Sequence, residues 1–300
     1  MAAKSNGTWR QYEGSLKKWC DFCKEKNWSN EEANVTHVLV FLTHLFELGL
    51  SYSVINTCRS ALSSWLGEVN GVLVGQHKLV INFMRGLSRM RPPTAKYSAT
   101  WNPDSVLNFI NSWDNETCSL KELSLKCVAL LALATGQRVQ TLASIKIKDI
   151  VWGSPVQIKL TAQLKTTSIA KPNPVLILPF FDDVKICPAT VLKVYIDRTK
   201  LVRNCENLFV AICKPHKAVG SQTISRWLSN VLELAGIDVN IFKAHSFRHS
   251  STSKAAKLGV NVDTILKSVG WSSKSKIFAK FYNRPVNTSS EFAEKVLSIS

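Results

Sequence analysis

The sequence predicts a mainly α-helical protein with a small antiparallel β-sheet in its second half, an α+β fold in two domains. In most of the chain apolar residues recur near the helical period of 3.6, and only the region from residue 145 to 178 alternates as strands do. A chain of 300 residues with 45% apolar and 20% charged residues is large and apolar enough for two hydrophobic cores. We therefore expect a folded, soluble protein.

The first ninety residues predict a compact domain of four helices. Apolar and aromatic residues follow the helical period within residues 8–26, 33–49, 51–65 and 77–87. The chain then reaches Arg91-Pro92-Pro93, which begins a basic stretch with little apolar content. Adjacent prolines favour an extended backbone, as in linkers between domains. We assign residues 1–90 to a helical domain and residues 91–100 to a basic linker.

The second half predicts a domain over residues 101–285 in which helices accompany the sheet. Helical patterns cover residues 103–112, 120–134, 188–200, 221–235, the segment around His245, 262–269 and 273–281. The strand pattern includes Ile145 and Ile147, with a turn at residues 153–155 and a hairpin tip at residues 163–168. In the tail, residues 286–300, one helical face carries Phe292, Val296 and Leu297. This helix is too short to be stable alone in water, so it needs a groove.

The charge balance points to a polyanionic partner. The chain has 38 Lys and Arg residues against 21 Asp and Glu, a net charge of +17. Such an excess in a folded chain favours binding to the phosphate backbone of nucleic acid. In the first domain and the linker, the residues that suit a phosphate track are Arg59, Arg85, Arg89, Arg91 and Lys96. An ordinary solvated face is the alternative interpretation of these charges.

Eight cysteines are spread along the chain without the density of a disulfide scaffold, so we expect a reducing compartment. Cys20 and Cys23 form a C-x-x-C pair inside a helical pattern, and no second pair stands at zinc-finger spacing. We interpret them as a buried helix face and expect neither a metal nor another cofactor. The sequence opens without the pattern of a secretory signal and has no apolar run long enough for a membrane span.

A group of polar residues far apart in the chain indicates one phosphate-handling site. His245 and Arg248 lie three apart on a predicted helix, so both side chains can reach the same small anion. Arg138 follows an apolar helix and a Gly turn, which would hold its guanidinium at the edge of a core. Tyr282 stands at the end of an apolar run stopped by Pro285 and is a candidate nucleophile. Taken singly, each of these residues is more often structural.

In this order, Arg138 in a T-G-x-R turn, Lys165 at a hairpin tip, His245-x-x-Arg248, Trp271 and Tyr282 resemble the catalytic signature of the tyrosine recombinases, the phage integrase family. The helical first half is similar to the core-binding domain of that family. Three short segments, at residues 214–216, 224–227 and 270–273, resemble recombinases of eukaryotic mobile elements, the Crypton and DIRS-like group. Two of them, residues 214–216 and 224–227, contain the expected DNA-binding residues Lys214, His216 and Arg226.

The resemblance implies a role for each residue of the signature. Tyr282 would attack a DNA phosphorus and hold the strand as a 3′-phosphotyrosine. Arg138 and Arg248 would grip the non-bridging oxygens, as a metal ion does in other enzymes. His245 would assist proton transfer or hold the phosphate, and Trp271 would supply an indole N–H and a packing surface.

Lys165 would protonate the leaving 5′-oxygen, with Lys159 and Lys171 as the alternatives. Many relatives carry an acidic residue where this chain has Thr141, which leaves the support of Arg138 undefined. His249, beside Arg248, is expected at the surface or on DNA.

The expected function is site-specific recombination of double-stranded DNA, without metal or ATP. The alternatives are a type IB topoisomerase-like activity and a domesticated DNA-binding protein that has lost turnover. The resemblance also implies a dimer or tetramer on DNA, in which the C-terminal helix packs into a neighbouring protomer. We expect the protein in the nucleus if the source is eukaryotic and in the cytoplasm otherwise, with no membrane partner.

Overall fold

A computed structural model describes residues 6–32, 34–93, 97–164, 167 and 172–271. The chain divides into two units, Met1–Ala95 and Lys96–Ser300, here called the N-terminal and C-terminal units. The division falls within the stretch that the sequence predicts as a linker. The predicted helix at residues 273–281 and the tail at residues 286–300 lie outside the described residues.

The N-terminal unit contains the four predicted helices. They are α1 (Asn6–Lys26), α2 (Val35–Glu47), α3 (Tyr52–Trp65) and α4 (Lys78–Met90). Helix α2 begins where Asn34 Oδ1 accepts a hydrogen bond from the His37 backbone N–H at 2.9 Å, a side-chain cap for an otherwise unpaired donor. The apolar stripes of the four helices meet in one core that contains Trp19, Phe41 and Ile55. The predicted helical domain is thus confirmed in its secondary structure.

Cys20 and Cys23 belong to the helix face predicted for them. Cys23 is buried, and its burial raises the pKa of the thiol to about 11. The Asn30 side-chain amide donates to Cys20 Sγ at 3.3 Å. A protonated, buried thiol is a poor metal ligand, because metals bind the thiolate. In the part of the chain that the structure describes, no three His, Cys, Asp or Glu side chains group as a metal site.

A short hairpin between α3 and α4 was not predicted. Strands β1 (Glu68–Val69) and β2 (Val72–Leu73) pair antiparallel across Asn70-Gly71. Both turn residues have positive φ, 52° and 74°, the conformation that a two-residue hairpin turn requires. The Asn-Gly pair is a strong hairpin signal in the sequence, although the flanking strands are too short to show a period.

The C-terminal unit is built around one buried helix. It begins with α5 (Pro103–Asn111), α6 (Leu120–Thr135) and α7 (Val139–Ser144). Helix α6 starts with a capping box, in which Ser119 and Glu122 bond to each other's backbone N–H, and most of its residues are buried. It packs against α8 (Pro188–Thr199), α9 (Ser221–Leu234) and α10 (Ser246–Lys257). The sequence pattern predicts this central position correctly.

The predicted antiparallel sheet is present but begins later than expected. Strands β3 (Ile150–Val151), β4 (Val156–Lys159) and β5 (Val175–Leu178) pair in that order. Assigning Ile145 and Ile147 to a strand was wrong. Ile145 follows the short helix α7 and is buried, while Ile147 starts a 3-10 turn. Apolar residues at alternate positions can belong to a turn packed against the core as well as to a strand. The period of two therefore did not identify a strand here.

Helix α10 carries small polar residues into the core and pairs them there. The Trp101 indole N–H donates to Ser246 Oγ at 2.8 Å, and Ser250 Oγ donates to the Trp101 carbonyl at 2.6 Å. Small side chains allow α10 to approach its neighbours closely. The last described helix, α11 (Val262–Ser268), leads to a small apolar cluster with Val269 and Trp271. Among the described helices, none combines the length and apolar character that crossing a membrane requires.

Candidate active site

The turn between α6 and α7 holds Arg138. Helix α6 ends at Gly136, whose backbone is left-handed with φ 57°. A Cβ at this position would lie 2.7 Å from Cγ1 of Val269, so the chain after α11 packs directly on the glycine. Arg138 then occupies the N-cap of α7 with an extended backbone, and its side chain is half-buried. The left-handed backbone at Gly136 and its close contact with Val269 both require a residue without a side chain.

Arg248 is buried against this turn and holds it in place through hydrogen bonds. It is 1% exposed, its Nη1 donates to the Gly136 carbonyl at 2.6 Å, and its Nη2 donates to the Val269 carbonyl at 3.0 Å. The guanidinium also stacks over the Trp271 ring at 4.4 Å. Hydrogen bonds from a charged donor in a buried setting are strong, so Arg248 joins three segments of the site. The prediction that Arg248 contacts phosphate remains untested, but this burial gives the residue a structural role as well.

His245 stands at the N-cap of α10, one helical turn before Arg248. Its carbonyl accepts the backbone N–H of Arg248 at 3.2 Å. The residue is exposed, but the surrounding protein still displaces part of the water around its ring. This desolvation, followed by the positive charges of Arg248 and then Arg138, lowers the pKa of His245. The lowered pKa favours the neutral form of the imidazole.

Trp271 forms a wall of this site. The residue is 8% exposed, and its backbone N–H donates to the Leu266 carbonyl at 2.8 Å, which closes the end of α11. The Arg248 guanidinium stacks on the Trp271 ring. Trp271 therefore supplies the packing surface expected of it. The structure thus brings together Arg138, His245, Arg248 and Trp271.

His249, expected at the surface or on DNA, lies beside His245. It is half-buried, and its ring lies 5.2 Å from the His245 ring and 5.5 Å from the Tyr97 ring, both near-perpendicular. Tyr97 in turn packs against Phe242 at 5.0 Å. Residues four apart on a helix share a face, which explains why His249 lies beside His245. Tyr97 belongs to the predicted linker, where no role was expected for it, and it borders the site.

Sequence reasoning also missed Gln137. This side chain is 6% exposed, and its Nε2 donates to the Ser268 carbonyl at 3.0 Å and to the Thr135 carbonyl at 3.3 Å. A polar residue between a turn glycine and a candidate catalytic arginine was the available signal. Thr141, which replaces the acidic residue of many relatives, is 4% exposed, and its carbonyl accepts the Ser144 hydroxyl at 2.8 Å.

Three of the predicted residues, Lys165, Tyr282 and Lys96, lie outside the described residues, as does the alternative Lys171. The base of the hairpin that leads to Lys165 is described. There Asn173 Nδ2 donates to the carbonyls of Leu160 and Ala162 at 2.9 and 2.8 Å. Lys159 ends β4 with an exposed side chain, opposite in face to the buried Ile158, as the period of two requires.

The four described arginines predicted to track phosphate fall into two pairs. Arg85 and Arg89 are exposed on α4. In contrast, Arg59 donates to the Gly75 carbonyl and to Asn56 Oδ1. Arg91 donates to the carbonyls of Leu50 and Phe46 and stacks on the Phe46 ring at 4.2 Å. The second pair is therefore held within the N-terminal unit, whereas the first can meet a polyanion directly.

The predicted DNA-binding residues of the C-terminal unit lie in and after an irregular loop. Lys214 and Arg226 are exposed. His216 is half-buried with a positive φ of 51°, rare for a residue with a side chain. Its Nδ1 lies 2.8 Å from the Ala211 carbonyl, an obligate acceptor, so Nδ1 carries the proton.

Comparison with known proteins agrees with this architecture. Residues 102–287 match the Phage integrase family. Comparison with curated protein sequences gives no match. Among solved structures, the XerH site-specific recombinase bound to palindromic difH substrate, in a post-cleavage complex, has a TM-score of 0.67 at 16% identity, over 97% of this chain and 79% of that one.

Two further structures are similar over nearly the whole chain. The Tn1549 transposon integrase in complex with transposon right-end DNA has a TM-score of 0.62 at 14% identity, over 99% of this chain and 95% of that one. A lambda integrase dimer bound to a COC′ core site has a TM-score of 0.57 at 17% identity, over 96% of this chain and 75% of that one. At such low identity these likenesses establish the fold, and the family match over more than half of the chain establishes membership. The chain belongs to the phage integrase family and is a tyrosine recombinase.

Proposed function

We propose that this enzyme cuts and rejoins double-stranded DNA at specific sites through a 3′-phosphotyrosine on Tyr282, using neither metal nor ATP. The observation that carries the proposal is the grouping of Arg138, His245, Arg248 and Trp271. Arg248 reaches Gly136, 112 residues away, and stacks on Trp271, while both arginines act on His245. Cationic and imidazole groups from distant segments converge where a scissile phosphate would be held.

The proposed chemistry balances without an external cofactor. The Tyr282 oxygen attacks phosphorus, its proton passes to the neutral imidazole of His245, and the bond from phosphorus to the 5′-oxygen breaks. Lys165 protonates the leaving oxygen, and Arg138 and Arg248 offset the charge that develops on the non-bridging oxygens. A base that is neutral near pH 7 can accept this proton, which is the state that the lowered pKa of His245 favours. Attack by a 5′-hydroxyl of another strand reverses the steps.

We propose that exposed basic side chains hold the duplex by its phosphates. Arg85 and Arg89 serve in the N-terminal unit and Lys214 and Arg226 in the C-terminal unit, all on surfaces open to solvent. The net charge of +17 supports this mode of binding. The solved relatives bound to DNA support the same partner for this chain.

We also propose self-association on DNA, in which the tail of one copy occupies an apolar groove of the next. The C-terminal unit has such a groove, of about 380 Å³, lined by residues that include Leu107, Leu130, Phe181, Leu258 and Val260. Leu258 is 72% exposed and Phe181 is 55% exposed, so the groove lacks a cover from the described residues. The apolar stripe Phe292, Val296 and Leu297 has the matching character.

The groove can be tested by one substitution and one control. Leu258→Asp should leave single-copy DNA complexes and remove the larger ones on a gel. Leu201→Asp, at a 96% exposed position that does not line the groove, should leave both. Larger complexes that persist with Leu258→Asp would assign self-association to another surface.

Within the family, we propose that the chain comes from a mobile element of the Crypton or DIRS-like group. The segments at residues 214–216, 224–227 and 270–273 support this placement. Recovery of the bound DNA from cells would test it, because a mobile-element enzyme should be found on repeated element ends.

The central test of function is incubation with supercoiled plasmid followed by denaturation. A protein-DNA adduct that is lost in Tyr282→Phe, while DNA affinity persists, supports the proposal. Two differently marked DNAs then separate the alternatives, since a recombinase exchanges strands between them and a type IB topoisomerase only relaxes one. DNA binding with no adduct at any site tried would favour a domesticated binding protein.

A further inference from the structure

Gln137 is the residue through which the Arg138 turn is attached to the end of α11. Its Nε2 donates at 3.0 Å to the carbonyl of Ser268, the last residue of that helix, and at 3.3 Å to the Thr135 carbonyl. The side chain is 6% exposed, so its hydrogen bonds do not exchange readily with water. Replacing the amide with an apolar side chain would leave the Thr135 and Ser268 carbonyls without this donor.

Two other contacts join the same two segments. Arg248 bridges them with one hydrogen bond to Gly136 and one to Val269, at 2.6 and 3.0 Å. The Cα of Gly136 is so close to Val269 that no side chain fits between them. Gln137 differs from these two contacts because it is the neighbour of Arg138 in the chain. Three contacts, from Gln137, Arg248 and Gly136, therefore hold the turn to the end of α11, and together they are called the joint here. Within the joint, Gln137 is the residue next to Arg138 in the chain.

The joint includes the end of α11, which comes just before Trp271 in the chain. Trp271 comes three residues after Ser268, and its backbone N–H bonds back to Leu266 at 2.8 Å. Fixing the Ser268 carbonyl therefore helps to fix Trp271, the wall of the site. A shift of this helix end would change the position of Trp271 relative to the turn that carries Arg138.

We infer that Gln137 is a positioning residue for the reaction: its amide holds the turn that carries Arg138 in register with the Trp271 wall. This inference rests on the proposed DNA cleavage. A misplacement of about 1 Å in an active site can slow the chemical step by about 100-fold. Gln137 touches no reacting atom, so its loss acts on the rate of the chemical step and leaves DNA affinity nearly intact.

The test compares Gln137→Leu with Gln140→Leu in the full chain. The first removes both donated hydrogen bonds at similar side-chain size, and the second makes the same chemical change at an exposed position of α7. Single-turnover adduct formation is measured at saturating DNA, with the Kd for DNA and the Tm alongside. Backbone hydrogen exchange is compared at residues 135–139 and 265–271 and in the rest of the C-terminal unit.

We expect Gln137→Leu to slow adduct formation about 10- to 100-fold, to change Kd less than about 3-fold, and to speed exchange only in those two segments. Gln140→Leu should match the unsubstituted protein. Equal adduct rates for the two variants would overturn the inference, and so would a general loss of folding in Gln137→Leu, which would give the residue a role in stability alone. If the unsubstituted protein forms no adduct, the proposed function fails. The exchange data then still test whether Gln137 holds the turn to the end of α11, because equal exchange in both variants would show that it does not.

Discussion

The contact between Gly136 and the chain after α11 gives a quantitative prediction. In Gly136→Ala the new Cβ would lie 2.7 Å from Cγ1 of Val269, a distance at which something must shift. The backbone also keeps its left-handed φ of 57°. For a residue with a side chain that conformation costs about 1–2 kcal/mol, and overpacking a core costs about 1–3 kcal/mol.

Gly236 provides the matched control. It also has a left-handed backbone, with φ 75°, but a Cβ there meets nothing within 4 Å. Gly236→Ala should therefore cost only the conformational part, about 1–2 kcal/mol. The effect of a glycine replacement on the unfolded chain is common to both variants and cancels in the comparison. The excess for Gly136→Ala should be about 1–3 kcal/mol, from the clash alone.

Urea unfolding of the C-terminal unit, followed by circular dichroism, measures both variants. A loss of about 3 kcal/mol in Gly136→Ala corresponds to a Tm lower by roughly 6–12 °C for a unit of this size. Val269→Ala removes the clashing methyl group, so on that background the cost of Gly136→Ala should fall to the cost of Gly236→Ala. Equal costs for the two glycine variants in the presence of Val269 would refute the packing described here.

Three further predictions concern chemistry and binding. The His245 imidazole should titrate by NMR with a midpoint below 6.5. Because the unfolded chain then binds this proton more readily than the folded protein, stability should fall as the pH falls below 6.5. A midpoint at or above 6.5 would contradict the site electrostatics. Lys165→Ala should stop cleavage of ordinary DNA but act normally on a 5′-bridging phosphorothiolate, whose leaving group needs no proton, whereas Lys159→Ala should cleave both. The reverse pattern would make Lys159 the acid. Arg85→Ala should reduce the slope of log Kd against log salt by about 1, and Arg59→Ala, whose guanidinium bonds to a carbonyl, should leave it unchanged; equal slopes would contradict the assignment.

The helices could be predicted from the sequence because their apolar stripes are long and regular. The pattern of α6 indicated a helix at the centre of a core, and the structure has it there with neighbours on several sides. Shorter elements have weaker sequence patterns. Asn70-Gly71 contained the hairpin signal, but two-residue strands have too few apolar positions to show a period.

Less of the site could be predicted, because its contacts link segments far apart in the chain. The order of the candidate residues indicated that Arg138, His245 and Arg248 belong together. It did not indicate that Arg248 is buried against carbonyls of Gly136 and Val269, since backbone carbonyl directions follow from tertiary packing. For the same reason the role of Gln137 became visible only in the structure.

Peptide mapping of the covalent complex tests the central claim most directly. After cleavage of a labelled DNA and digestion of the protein, the label should lie on the peptide that contains Tyr282, linked through a 3′-phosphate. Label on any other residue, or a covalent complex that still forms in Tyr282→Phe, would contradict the account.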